Sequence, residues 1–168
     1  MAPASPPELD TVDYIENTRD SYLSLGYEAY RWAHNAEPSA FVAPTKPLAE
    51  SRVVLIASGG VYRVGDVGFT HKDDLTHREI PTDTPVDDIR VTHFAYDQTN
   101  ARQDPNVVFP IEALRAMRDA GEIGSIADVA LTFMGGIYSQ RRLHETLVPE
   151  LVKRVHELEA DIALLVPV

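Results

Sequence analysis

Arg52-Val53-Val54-Leu55-Ile56-Ala57, Val129-Ala130-Leu131-Thr132-Phe133 and Ile162-Ala163-Leu164-Leu165-Val166 are short apolar runs with helical patterns between them. A strand without polar alternation has no face to offer water, so such runs fit a sheet covered on both sides. The first run stops at Ser58-Gly59-Gly60 and the second at Met134-Gly135-Gly136. Pro110 opens a helix with Ile111, Leu114 and Met117 on one face, and Gly121 is placed to end it. Leu143, Leu147, Leu151, Val155 and Leu158 form a core-facing helical stripe. Pro149 interrupts that stripe, which predicts a kink or a fresh helix start near Val148. Helix and strand in alternation imply right-handed crossovers. The expected class is α/β: a three-layer, mostly parallel open sheet with helices on both faces, plus a helical N-terminal arm. Ile162–Val166 is expected to be a last buried strand. Ile89-Arg90-Val91-Thr92-His93-Phe94 alternates and is expected at an edge or half-buried.

Residues 1–50 read differently. Half of the 12 prolines fall there, and acidic side chains outnumber basic ones by 8 to 3, so this stretch is expected to be a peripheral arm and linker rather than core. Val12, Ile15, Tyr22 and Leu25 keep close to a helical face, with Asp10 and Thr11 as caps and Gly26 as the stop. A second short helix is expected to carry Tyr27, Tyr30 and Trp32, followed by an extended linker from Ser39 to Pro47. The α/β domain then occupies residues 51–168.

Composition narrows the functions. With 15 basic and 26 acidic side chains the net charge is −11, which argues against binding a phosphate backbone. The amino terminus has neither a basic nor an apolar leader region, and no apolar stretch approaches the roughly 18 residues of a membrane span. A cytoplasmic protein is expected. The absence of cysteine leaves no disulfide framework, thiolate nucleophile or cysteine-based metal site within these residues.

The two glycine loops follow strands, where backbone N–H groups approach anionic ligands closely. Neither matches a dinucleotide or phosphate-loop pattern, and tight turning alone is the competing reading. His93, followed by Tyr96 and Asp97, sits near a strand's carboxyl end, where a ring nitrogen binds or deprotonates a small substrate. A core histidine satisfied by backbone is the plainer alternative. Asp97-Gln98-Thr99-Asn100-Ala101-Arg102-Gln103-Asp104-Pro105-Asn106 reads as a polar, irregular loop of the kind that carries function on a rigid scaffold. His71, His77 and His93 beside Asp73, Asp74 and Asp83 raise a metal hydrolase, although their spacing matches no helical ligand pair. His144 and His156 read as solvated, and Ser58 lacks the elbow pattern of a hydrolase nucleophile.

Taken in order, VVLIASGGVYRVGD, REIPTDTPVDDIRVTHFAYD, DPNVVFPIEALRAMRDAGEIG, FMGGIYSQ and VPELVKRVHELEADIALLVPV resemble the glycine/sarcosine/betaine/D-proline reductase selenoprotein B family, most of all its selenocysteine-bearing D-proline reductase members. The likeness runs from Ser51 to Val168. In that family the strand matching Ile162–Val168 leads directly into selenocysteine or cysteine. A functional loop is also expected where this chain stops, because ligands bind beyond the carboxyl ends of parallel strands. The resemblance therefore implies that the catalytic residue belongs immediately after Val168, the expectation being a UGA selenocysteine codon read as a stop.

The family's chemistry is thiol-dependent reductive cleavage of a carbon–nitrogen bond in an amino acid or related amine. It implies no cofactor in this chain, a pyruvoyl group on a partner subunit, a dithiol or thioredoxin-like electron donor, and either a homo-oligomer or a reductase partner subunit. By resemblance, Ser58, Gly59, Gly60, Met134, Gly135 and Gly136 would line the site, and His93, Tyr96, Asp97 and Asn106 would orient substrate. Arg78, Asp83, Thr84 and Pro85 match a recurrent family segment that would shape the site or a subunit contact. A non-catalytic α/β subunit acting through oligomer or partner contacts is the alternative.

Overall fold

The structure is a computed structural model that describes residues 13–32, 34–38 and 42–168. It divides into two units, residues 1–42 and 43–168. In the first, helix α1 (Tyr14–Ser24) is capped by Asp13, whose carboxylate accepts from the N–H groups of Ile15 and Glu16 at 3.1 Å. Asp10, Thr11 and Val12 lie outside the described residues. Gly26 ends the helix with φ +79°. The expected second helix does not form. Residues 27–32 are irregular, and Tyr27 and Tyr30 place their rings 6.2 and 5.7 Å from Tyr22, with Trp32 against Tyr30 at 4.8 Å. Aromatic packing made possible by the reversal at Gly26 replaces helical hydrogen bonding there.

The second unit is built on β1 (Arg52–Ala57). Strand β7 (Ile162–Val166) pairs with it in parallel from Val53↔Ile162 to Ala57↔Val166. The other edge of β1 is shared by β5 (Ser125–Ile126) and β6 (Val129–Phe133), both parallel to it. Between the pairs Val53↔Ile126 and Ile56↔Leu131, four residues of one chain segment oppose two of β1, an insertion that falls at Ala127-Asp128 between the two strands. Strand β3 (His77–Pro81) closes that side antiparallel to β6, with Pro81 at its end, so the sheet is mixed but mostly parallel.

Alternate residues of β1 face two cores. Val53, Leu55 and Ala57 pack with Ile111 and Leu114 of α3 (Ile111–Asp119), Phe109, and Val61, Ile89 and Val91. The last three belong to a separate antiparallel ribbon of β2 (Val61–Arg63) and β4 (Ile89–Val91). The segment read as an edge or half-buried strand over 89–94 is half-buried, but it is shorter and pairs with β2 alone. Val54 and Ile56 face Leu147, Leu151 and Leu158 on the opposite side. That helical layer begins as α4 (Gln140–Arg142), passes through a π-helical turn (Leu143–Leu147) and continues as α5 (Val148–Glu157). Pro149 lacks the N–H that a regular turn would use, so the fresh start near Val148 is observed with a π turn before it.

Two expectations are corrected. The loop 97–106 is not irregular: it holds α2 (Thr99–Gln103), before which Asp97 accepts from Thr99 N–H, and a 3₁₀ turn (Pro105–Val107) capped by Asp104. And β7 is not buried: Leu164 and Leu165 are 37% and 65% exposed. Consecutive side chains point to opposite faces, so its apolar run belongs to an edge strand incompletely covered on both. Among the described residues no helix is long and apolar enough to cross a membrane.

Candidate functional site at the strand ends

Because β1, β6 and β7 are parallel, their carboxyl ends meet at one rim, and Ser58 ties them together. Its N–H donates to Val166 O at 3.1 Å, its Oγ accepts from Val168 N–H at 3.0 Å, and its carbonyl accepts from Gly135 N–H at 2.8 Å. All three polar groups of Ser58 serve this junction. Gly59 bridges antiparallel to Met134, which is fully buried. The glycines are required by contact. A Cβ at Gly60, where φ is +67°, would fall 1.8 Å from Thr92 O, and one at Gly136 would fall 2.2 Å from the Phe94 ring. On the α5 side of the rim, Ile56, Ser58, Phe133, Leu165, Val166 and Pro167 line a cavity of about 210 Å³.

On the opposite side stands an aromatic cluster. Tyr96 donates its hydroxyl to Gly59 O at 3.0 Å, and burial holds its phenol above the ordinary range, so it stays protonated. His93 is 4% exposed, with its ring 4.8 Å from Tyr96 and stacked on Phe94 at 5.5 Å. The N–H of Ala95 donates to His93 Nδ1 at 2.9 Å. An amide N–H only donates, so Nδ1 carries no proton and the neutral ring bears its hydrogen on Nε2. Among the described residues Nε2 is buried without a partner, an arrangement that costs about 1–3 kcal/mol when nothing accepts the proton. Burial, reinforced by His71, keeps the ring's pKa below the usual histidine value. The side-chain amide of Gln98 donates to the His93 carbonyl and so holds the turn.

The remaining sequence candidates take structural places. Asp97 accepts from the N–H and hydroxyl of Thr99, which lower its pKa. Asn106 is consumed at the start of α3, where it accepts from Glu112 N–H and donates to Asp104 and Glu112. Neither reaches toward His93 through these bonds. The histidine and aspartate set is dispersed: His71 bonds Thr92, His77 lies 4.0 Å from Glu150, and Asp74 is held by Thr70 and Thr76. Burial pushes the Asp74 carboxyl up, but the threonine hydrogen bonds outweigh it and leave the pKa lowered. Among the described residues no group of three such side chains is placed to hold a metal.

Arg78 stitches the segment before β3, donating to Val67 O, Gly68 O and Thr76 and lying 4.3 Å over the Phe69 ring. Asp83, Thr84 and Pro85 line a separate polar cleft of about 460 Å³. Sequence reasoning did not single out Phe94 or Tyr138, and it placed Asp73 only in the histidine and aspartate set. Phe94 stacks with Tyr138 at 6.1 Å, and Asp73, at φ +46°, accepts from Tyr138 N–H at 2.7 Å. The run of aromatics His93-Phe94-Ala95-Tyr96 was the available signal.

The family described as glycine/sarcosine/betaine reductase selenoprotein B matches residues 34–166. The chain belongs to this family. The match therefore includes the end of the stretch read as an arm. Among curated proteins, the chain is 33% identical over 128 residues to the D-proline reductase subunit gamma of Acetoanaerobium sticklandii, covering 76% of this chain and 53% of that protein. It is 26% identical over 98 residues to the betaine reductase complex component B subunit beta of Peptoclostridium acidaminophilum, covering 55% of this chain and 22% of that one. The chain thus spans about half the length of the first relative and about a fifth of the second. No solved structure matches it.

Proposed function

We propose that this chain is the scaffold of a selenoprotein B-type reductase that carries out thiol-dependent reductive cleavage of an amino acid or related amine, working in the cytoplasm with reductase partner subunits. The observation that carries the reading is the locked end of β7. Val168 N–H is held on Ser58 Oγ, and Ser58, at the end of the middle strand, also accepts from Gly135 N–H of the Met134–Gly136 loop on its far side. A selenocysteine or cysteine placed after Val168 would enter at that rim. Such a residue supplies a nucleophile ionised at neutral pH, which opening a carbon–nitrogen bond requires. A pyruvoyl group on a partner subunit would make the amine a better leaving group, and a dithiol donor would restore the reduced state. This chain's own part is to align the rim: Ser58 joins the strands, Tyr96 braces Gly59, and Phe94 stacks with Tyr138 beside it.

The test begins with the nucleotide sequence after Val168, where an in-frame UGA or cysteine codon with continuing coding sequence is expected. The continued protein, assayed with its partner subunits, is then expected to consume D-proline, glycine or betaine only when a dithiol is present. An unambiguous terminator followed by noncoding sequence would defeat the reading.

A second reading, a non-catalytic subunit, is favoured by one feature. Leu165, Ala163 and Ile56 face Val148, Val152 and Val155 across an apolar groove of about 380 Å³, a surface suited to protein contact. Stable association with reductase subunits and no turnover in any form would select it.

A further inference from the structure

His93 differs from every other polar group at the rim in having one hydrogen-bonding atom left over and buried. Nδ1 is occupied by Ala95 N–H, the carbonyl is held by Gln98, and Phe94 and Tyr96 pack on the ring, yet Nε2 has no partner among the described residues. What remains is a donor only. It has no lone pair to offer an ammonium group or to take a proton from substrate, which removes the general-base role that the sequence left open.

We infer that His93 Nε2–H is a neutral hydrogen-bond donor for a carboxylate oxygen of the substrate, so that an amino acid binds with its carboxylate toward His93 and its carbon–nitrogen bond toward the ends of β1 and β7. The inference rests on the proposed amino-acid reductase reading and adds an orientation to it. Tyr96 connects the two ends of this arrangement: its ring lies against His93, and its hydroxyl is bound to Gly59, beside which the Val168 side chain packs, 3.3 Å from a Cβ built at that glycine. The titratable groups around His93 do not restore a base. The electrostatic influence of His71 adds to burial in disfavouring protonation of His93, and burial of Tyr96 outweighs the opposing charge of Arg102 of α2 and keeps the phenol protonated. A buried donor held for one acceptor also discriminates: a ligand lacking the oxygen leaves Nε2–H unpaired.

Long-range proton–nitrogen spectra of the histidine rings, recorded on the 15N-labelled chain from about pH 5.5 to 8.5 and assigned with His93→Gln, test this directly. His93 is expected to stay in the neutral Nε2–H form throughout and to shift at Nε2 when glycine, D-proline or betaine is added. His93→Leu is expected to bind the same probe at least about tenfold more weakly, the loss of one hydrogen bond to a charged acceptor. His93→Gln, which keeps an N–H near the Nε2 position, is expected to recover most of that loss. The Nδ1–H form, an imidazolium within this range, or undiminished binding by His93→Leu would overturn the inference. A probe that perturbs the Gly59 and Gly135 amides but not the His93 ring would overturn it and leave the reductase reading standing. If none of the three probes perturbs the rim, the amino-acid reading fails and takes the carboxylate assignment with it. The wild-type spectra decide the tautomer even if a variant does not fold.

Discussion

At Gly60 the backbone turns with φ +67° while its carbonyl accepts from Thr92 N–H and its own N–H donates to Phe133 O, so the residue is pinned on both sides. A methyl there meets a main-chain oxygen at 1.8 Å, and main chain cannot swing aside. Gly60→Ala is therefore expected to cost at least about 2 kcal/mol in denaturant unfolding. Gly136 makes a useful contrast. Its missing Cβ is occupied by the outer edge of the Phe94 ring, a partly exposed side chain that can rotate. Gly136→Ala should cost about 1 kcal/mol, the scale of one aromatic contact, and should displace Phe94 from His93, visible as loss of ring-current shifts on the His93 protons. Ser58→Ala removes the acceptor for Val168 N–H; about 1 kcal/mol of stability and faster amide exchange at Val168 are the expected signs. The sequence marked all of these positions but offered no distinction between a glycine pressed on backbone and one pressed on a ring, because that depends on what a distant segment places opposite.

The helical layer illustrates what an element carries in its own pattern. The leucine stripe from Leu143 to Leu158 and the break at Pro149 were legible because side-chain period and a missing N–H are local properties. Its attachment to the sheet was not legible. Arg154 of α5 forms a two-pronged ion pair with Glu79 of β3 at 2.6 and 2.9 Å, joining residues far apart in the chain. The Arg154 hydrogen bonds, opposed by partial burial, hold the Glu79 pKa below the usual glutamate value. A lowered carboxylate pKa stabilises the fold above the unfolded value of about 4.3 and ceases to do so as pH falls through the lower folded value. Glu79→Gln should thus cost about 0.5–1 kcal/mol near neutrality, allowing for solvent screening of this half-exposed pair, and the difference from wild type should vanish in acid. Equal differences at both pH values would show that the charge is immaterial. The strand expected over 89–94 is half-buried as its alternation indicated but shorter, and whether its cover is the main sheet or a two-stranded ribbon is decided by which partner the chain brings alongside.

For the whole molecule, the exposed edge at β7 is the most consequential feature. Leu165, Val152 and Val148 present apolar surface beside an edge strand, a combination that promotes sheet-to-sheet association. Leu165→Lys is expected to reduce self-association in light scattering while changing the thermal midpoint by no more than about 2 °C. The α/β class, the strands at 52–57, 129–133 and 162–166, the helix after Pro110 and the family likeness were all present in the order of residues, since hydrophobic period, glycine stops and proline positions act over a few residues at a time. Tertiary structure alone decided that β3 runs antiparallel, that β7 lies exposed, that Asp97 and Asn106 bond the starts of α2 and α3, and that His93 retains one buried donor unpaired among the described residues. Each of those depends on hydrogen bonds and packing between segments that only folding brings within a few ångströms, so no local pattern can encode them.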